Sequence, residues 1–280
     1  MLSYRHSFHC GNGGDVLKHL VLLAVLDYYK QRGKPYTYID SHAGAGFYAL
    51  NSKQAQKKRE FMQGIGRLWE AQNTPPLLRQ YLQLVDSYCG RDHYFGSPFL
   101  AGLMAGPEER LRLFELHPAD YPQLQQAMAT LNLRRRCQIN HSDGLKGLTA
   151  LLPPTPRRAV VLIDPAYEDK GEYYEVAAAL EEALRRFATG CYLIWYPCLA
   201  RLEQQQLVRK LSHRYNTNFL RAELHWRTPP ADGFGMFGAG VYVINPPFGL
   251  AQQLNPVLDY LKTALAQDGG AKKLLQFKSP

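Results

Sequence analysis

Residues 159–163 read "AVVLI", apolar at every position, and run straight into the acid of "DPAY" at 164–167. A strand that is apolar on both faces must be buried on both, as the central strands of helix-covered parallel sheets are. Five residues are too few for a core helix. The rest of the chain alternates in the way such a sheet requires. Strand patterns fall at 36–40, 110–116, 136–141, 191–196, 221–226 and 240–244, with helical patterns at 98–105, 119–132, 173–187 and 199–214. With 159–163 this predicts a seven-stranded, doubly wound, Rossmann-like α/β sheet. Its last two strands are joined only by the loop 227–240 and so form an antiparallel hairpin.

Two regions lie outside that alternation. After "GNGGD" (11–15), "VLKHLVLLAVLDYYKQ" reads as one helix stopped by Gly33 and Pro35. Val16, Leu20, Leu23 and Asp27 share one face of it, and Lys18 and His19 fall off that face, as a solvated pair would. From 50 to 95 the chain becomes polar and basic, with two helical patterns split by "NTPP" (73–76). This predicts a helical subdomain inserted into a single domain that spans 1–280.

Open α/β sheets bind ligands outside the carboxyl ends of their strands. Four strand ends here carry suitable groups. "DSHAGAG" (40–46) follows the first strand, and its Gly44 and Gly46 allow close backbone approach. Glu115 ends the second strand, where an acid takes ribose hydroxyls; it lies about 70 residues beyond Gly44 rather than the usual ~20, which the insertion explains. Asp143-Gly144 follows the third strand, and its carboxylate suits an exocyclic amine, although an Asp-Gly turn alone accounts for the pair.

The fourth strand end is "DPAY". A carboxylate is not placed at the end of a buried strand for packing, because its desolvation is costly. The motif differs by one residue from the acid/amide-Pro-Pro-aromatic pattern of enzymes that methylate planar amino groups. An adenine amine is a weak nucleophile because its lone pair is delocalised into the ring. Acceptors for its two N–H groups, here Asp164 and the Pro165 carbonyl, would localise that pair, and Tyr167 would stack on the extruded base. "NPPF" (245–248) spells the pattern better but follows the last strand, far from the glycine loop. Position therefore favours Asp164.

Thirty-three Lys and Arg against 24 Asp and Glu give a net charge of +9, which favours phosphate-bearing partners. Candidate phosphate contacts are Lys53, Lys57, Lys58, Arg59 and Arg67 in the insertion, together with Arg134–Arg136 and Arg157–Arg158. The five cysteines are scattered, with no zinc spacing, and fit free thiols in a reducing cytoplasm. No metal is expected. No apolar run approaches the ~20 residues of a membrane span.

The blocks "LSYRHSFHCGNGGDVLKH" (2–19), "YIDSHAGAG" (38–46), "GSPFL" (96–100), "ELHPADYP" (115–122), "DG" (143–144), "LIDPAY" (162–167) and "INPPF" (244–248) occur in an order that resembles the ribosomal RNA large subunit methyltransferase J family. The resemblance implies a class I S-adenosylmethionine-dependent fold and N6-methylation of an adenine in protein-free 23S ribosomal RNA by a cytoplasmic monomer. It implies cofactor contacts at His19, His42, Ser97, Glu115, Asp143, Gly144 and Asp164, a catalytic Asp164, and a substrate contact at Tyr4. Lys18 and His6 stand in the same block as helpers. Ser97-Pro98 would serve as N-cap and first helical residue, aiming free N–H groups at the cofactor carboxylate. The chain departs from the family at Ala166, where proline is usual, and at Gly13, where histidine is common. Other readings stay open from the residues alone: methylation of DNA adenine or of a glutamine amide, a non-catalytic RNA-binding protein, and a nicotinamide-dependent oxidoreductase.

Overall fold

In the computed structural model, which describes residues 4–279, the apolar run 159–163 lies in the middle of a sheet with parallel neighbours on both sides. The strands in chain order are β1 (Thr37–Asp40), β2 (Phe47–Ala49), β3 (His93–Phe95), β4 (Arg110–Phe114), β5 (Cys137–Asn140), β6 (Ala159–Ile163), β7 (Cys191–Cys198), β8 (Phe219–His225), β9 (Gly238–Ile244) and β10 (Lys272–Lys278). The helices are α1 (Gly13–Gln31), α2 (Lys53–Lys58), α3 (Pro76–Cys89), α4 (Ser97–Met104), α5 (Tyr121–Ala129), α6 (Gly144–Ala150), α7 (Lys170–Arg186), α8 (Leu202–Arg214) and α9 (Leu250–Ala264).

The main sheet has the order β10-β8-β9-β7-β6-β1-β4-β5, eight strands rather than the seven expected. The extra strand, β10, pairs antiparallel with β8 at the edge. β4, β5, β6 and β7 run parallel to β1, and β9 runs antiparallel between β7 and β8. The chain builds outward from β1 through β4 to β5 and then returns to place β6 on the other side of β1. That reversal opens a crevice at the carboxyl ends of β1, β4 and β6, where open sheets of this kind hold ligands.

Helices cover both faces. α1, α4 and α9 pack on one side and α6 and α8 on the other, α7 lying against α6 and α8, each face with its own apolar core. α1 begins on Asn12, whose side chain accepts from the Asp15 N–H, and every residue from Gly13 to Leu26 is buried. A helix that is apolar nearly all round belongs inside. Lys18 and His19 are therefore buried rather than solvated, at 5% and 0% exposure. β2 and β3 pair as a small antiparallel ribbon, so the segment between them, which carries α2 and α3, leaves and rejoins the fold at one place. Its apolar residues Phe61, Ile65, Leu78 and Tyr81 join the same core as α1. Among the described residues, no helix is long and apolar enough to cross a membrane.

Candidate active site

A cavity of about 590 Å³ opens at the crevice, within the ~300–1,000 Å³ typical of small-molecule sites. Its wall is built from the strand ends. Ser41 and His42 follow β1, Glu115 follows β4, Asp143 caps α6, and Asp164 follows β6.

Asp40 is fully buried. Its Oδ2 accepts from Tyr38 Oη and Ser97 Oγ, both at 2.7 Å, and its Oδ1 accepts from the His42 N–H at 3.2 Å. Burial raises its pKa, with those three donors pulling the other way. The Ser97 hydroxyl is thus spent on Asp40. Ser97 is not the N-cap: Gly96 holds that position and Ser97 begins α4, because the extended Gly96 backbone already turns the chain. His42 lies on the cavity wall, with Nδ1 2.8 Å from Ser41 Oγ, and burial lowers its pKa to about 4.

Glu115 accepts from the Gly44 N–H at 2.8 Å and from the His117 N–H at 2.5 Å. Asp143 accepts from the N–H groups of Leu145 and Lys146, so the turn and the wall position coexist in one residue. Gly144 has a steric reason: a Cβ there would stand 1.9 Å from the Ser41 carbonyl oxygen. Gly44 has positive φ, and its added Cβ would meet Tyr48 Oη at 2.3 Å.

These features test the implied cofactor. Glu115 already occupies the N–H of Gly44 in the glycine loop, and Asp40 and Asp143 stand beside it, so the cradle repels a pyrophosphate. It suits a ligand with ribose hydroxyls, an exocyclic amine and a positive centre, as in S-adenosylmethionine. The nicotinamide-dependent reading loses its support on this point.

Asp164 sits at the mouth of the reacting end, 12% exposed at its side chain. Lys18 Nζ donates to its Oδ2 at 2.7 Å and also pairs with Asp15 Oδ1 at 2.8 Å. Burial pushes the Asp164 carboxyl up to about 6, with Lys18 acting in the opposite sense. Lys18 itself is held charged: burial disfavours its ammonium, but Asp15 and Asp164 outweigh burial and raise its pKa. The network continues from Asp15 Oδ2 to His6 Nε2 at 2.8 Å, and from His6 Nδ1 to Tyr4 Oη at 2.9 Å. Tyr4, His6, Lys18, Asp164 and Pro165 all line the cavity.

Two expected site residues lie elsewhere. Tyr167 is 2% exposed and lies outside the cavity wall. Its positive φ of 54° turns the ring inward onto Tyr173, and its hydroxyl donates to the Trp195 carbonyl at 2.9 Å. The large ring on the wall beside Lys18 is instead Trp195, with Lys18 Nζ 5.9 Å from its centroid. His19 is also off the wall, with Nδ1 3.0 Å from Tyr94 Oη and its pKa lowered by burial to about 3. The sequence reading missed Asp15 and Trp195. An acid three residues before a lysine in an all-apolar helix was the available signal for Asp15; Trp195 lay inside an ordinary strand pattern.

The basic residues divide between two ends of the molecule. Lys58 lines the cavity beside His9. Arg134–Arg136 precede β5 and Arg157–Arg158 precede β6, at the amino edge away from the cavity. Arg136 and Arg158 donate to backbone carbonyls there, to Gly106 and Lys34 respectively, and so close loops.

The family model described as Ribosomal RNA large subunit methyltransferase D, RlmJ, matches residues 33–276. A curated Escherichia coli protein called Ribosomal RNA large subunit methyltransferase J is 40% identical over 272 residues, 96% of each chain. The Haemophilus influenzae protein of the same name is 39% identical over 285 residues, 100% of each. A crystal structure of a Legionella pneumophila protein aligns with a TM-score of 0.88 at 33% identity, covering 97% of this chain and 99% of that one.

Proposed function

This chain belongs to the RlmJ family of ribosomal RNA large subunit methyltransferases, and from that premise we propose that it transfers a methyl group from S-adenosylmethionine to the N6 amine of an adenine in 23S ribosomal RNA. The observation that carries the reading is Asp164: a carboxylate at the end of the central strand, on the cavity wall, charge-paired with a buried lysine.

Glu115, Asp143 and Gly144 hold the nucleoside end of the cofactor, while His42 and the Ser97–Asp40 pair wall its side. When bound, S-adenosylmethionine supplies an electrophilic methyl on a sulfonium. Asp164 and the Pro165 carbonyl accept the two amine N–H groups of the target base, which localises the nitrogen lone pair. Asp164 is ionised at neutral pH, and Lys18 keeps it so. Trp195 offers the ring face against which the extruded base rests, a contact worth ~1–3 kcal/mol. Tyr4 meets the RNA at the mouth. Lys58 of α2 lines the cavity and, with its neighbour Lys57, supplies the phosphate path, while Glu168, Asp169, Glu172 and Glu175, which also line the cavity, repel phosphate. The protein acts as a monomer in the cytoplasm on protein-free RNA.

The test is transfer of labelled methyl to protein-free 23S ribosomal RNA, with duplex DNA in parallel and the product digested to nucleosides. The expected product is N6-methyladenosine from the RNA alone. Label in DNA, or in no nucleic acid, overturns the reading. Thermal stabilisation by NAD but not by S-adenosylmethionine would overturn the cofactor assignment.

A further inference from the structure

Asp15 is a buried carboxylate to which the chemistry above gives no task. Its side chain is 3% exposed, yet it has a full set of partners. Oδ1 accepts from Lys18 Nζ at 2.8 Å, and Oδ2 accepts from the Gly11 N–H and faces His6 Nε2, each at 2.8 Å. The pairing fixes the His6 tautomer, with Nε2–H toward Asp15 and Nδ1 free to accept from Tyr4.

A role in stability does not account for this. A first-turn acid three residues before a lysine contributes only a few tenths of a kcal/mol to a helix. Burial disfavours the Asp15 carboxylate, but His6 and Lys18 outweigh burial and the buried pair holds, and apolar residues of similar volume would hold as well. The helix terminus is already capped by Asn12. What burial does achieve here is direction. One carboxylate grips both the ammonium that faces Asp164 and the imidazole that faces Tyr4.

We propose that Asp15 is a positioning residue for methyl transfer: it holds Lys18 between two carboxylates, and so sets how much of the ammonium's charge reaches Asp164, while it orients His6 toward Tyr4. The inference rests on the methyltransferase reading above. It follows that removing the Asp15 charge leaves Lys18 to Asp164 alone and also removes a like charge nearby. Both changes favour the Asp164 carboxylate, and its pKa falls. Removing Lys18 has the opposite sign.

The surroundings leave few other sources of such a shift. Besides His6, Lys18 and Asp164, the titratable groups that face Asp15 are Tyr4, Cys10, His19, Tyr48, Tyr81 and Tyr94. Burial raises every one of the phenols and the thiol, and holds His19 neutral down to about 3. Asp164 also faces Tyr38 and Tyr167, both raised by burial.

The experiment is the pH profile of kcat/KM for RNA methylation by wild type, Asp15→Asn and Lys18→Met. Asp15→Asn is expected to move the acid limb down by roughly one unit. Lys18→Met is expected to move the limb up. In a His6→Gln background, where no imidazole titrates at that position, the Asp15→Asn displacement must persist. An acid limb at the wild-type position in Asp15→Asn overturns the proposal, whatever the loss of rate. If Asp15→Asn does not fold, Asp15→Ser, whose hydroxyl still accepts from Gly11, gives the same reading. A wild type that methylates no RNA instead defeats the methyltransferase reading itself.

Discussion

Two loops of this protein share a spelling and almost nothing else. "DPAY" (164–167) follows β6 and "NPPF" (245–248) follows β9. Asp164 faces the cavity and a buried ammonium. Asn245 instead donates to the Ala188 and Gly190 carbonyls, both at 2.8 Å, and accepts from Asn218 Nδ2 at 3.3 Å. The cause is strand direction. β9 is antiparallel to β7 and pairs Ile244 with Tyr192, so its carboxyl end lies at the amino edge of the parallel strands, across the sheet from the cavity. Asn245 is a clamp on a loop, Phe248 is 83% exposed at that edge, and the motif is a local turn chemistry used twice. A short motif acquires its function from the edge of the sheet on which it is placed.

Substitutions separate the two loops by the size and kind of their effects. The largest concerns Asp164. Asp164→Ala removes the acceptor itself, and methyl transfer should fall by ~10²–10³-fold in single-turnover assays, with cofactor binding by calorimetry largely retained. Next is pH. Burial raises Asp164 above the usual carboxylate range to about 6, and its ionised form is the stronger acceptor for the amine N–H groups. Activity is therefore present above that value and lost as pH falls through about 6, which a kcat/KM profile on RNA reads directly.

Asn245→Ala should do the reverse of Asp164→Ala. It removes three hydrogen bonds and places alanine at a φ of 54°. A cost of about 1–3 kcal/mol follows, seen as a lowered melting temperature with the rate per folded molecule unchanged. The smallest effect concerns Ala166→Pro, which makes the working loop spell like the other one. Where the backbone accepts proline, such a change adds about 0.4–1 kcal/mol of stability, measurable as a slightly higher melting temperature. A rate change larger than that of Asn245→Ala in either direction would mean that position 166 takes part in the chemistry.

The strand-end positions were legible in the sequence because the physics behind them is local. An apolar run that stops at an acid names its own carboxyl end, which is how Asp164 could be read, and Glu115 and the Asp143-Gly144 pair follow strand patterns of their own. Contacts between distant segments were not legible. Lys18 meets Asp164 across 146 residues of chain, and nothing near Lys18 announces it except the apolar helix that buries it. Tyr167 shows a different limit. Adjacency to Asp164 placed it in the motif, but its backbone torsion, set by the turn, sends the ring into the core. β10 escaped notice because "KKLLQFK" is an edge strand that pairs on one side only and keeps its lysines in water.

The central claim is that Asp164, and not its better-spelled counterpart, is the group that works on the amine. It is tested most directly by single-turnover methyl transfer to protein-free 23S ribosomal RNA, with Asp164→Ala and Asn245→Ala measured side by side at saturating S-adenosylmethionine and a pH above 7. The account predicts near-complete loss for the first and a wild-type rate for the second. Equal rates in the two variants, or loss confined to Asn245→Ala, would contradict it.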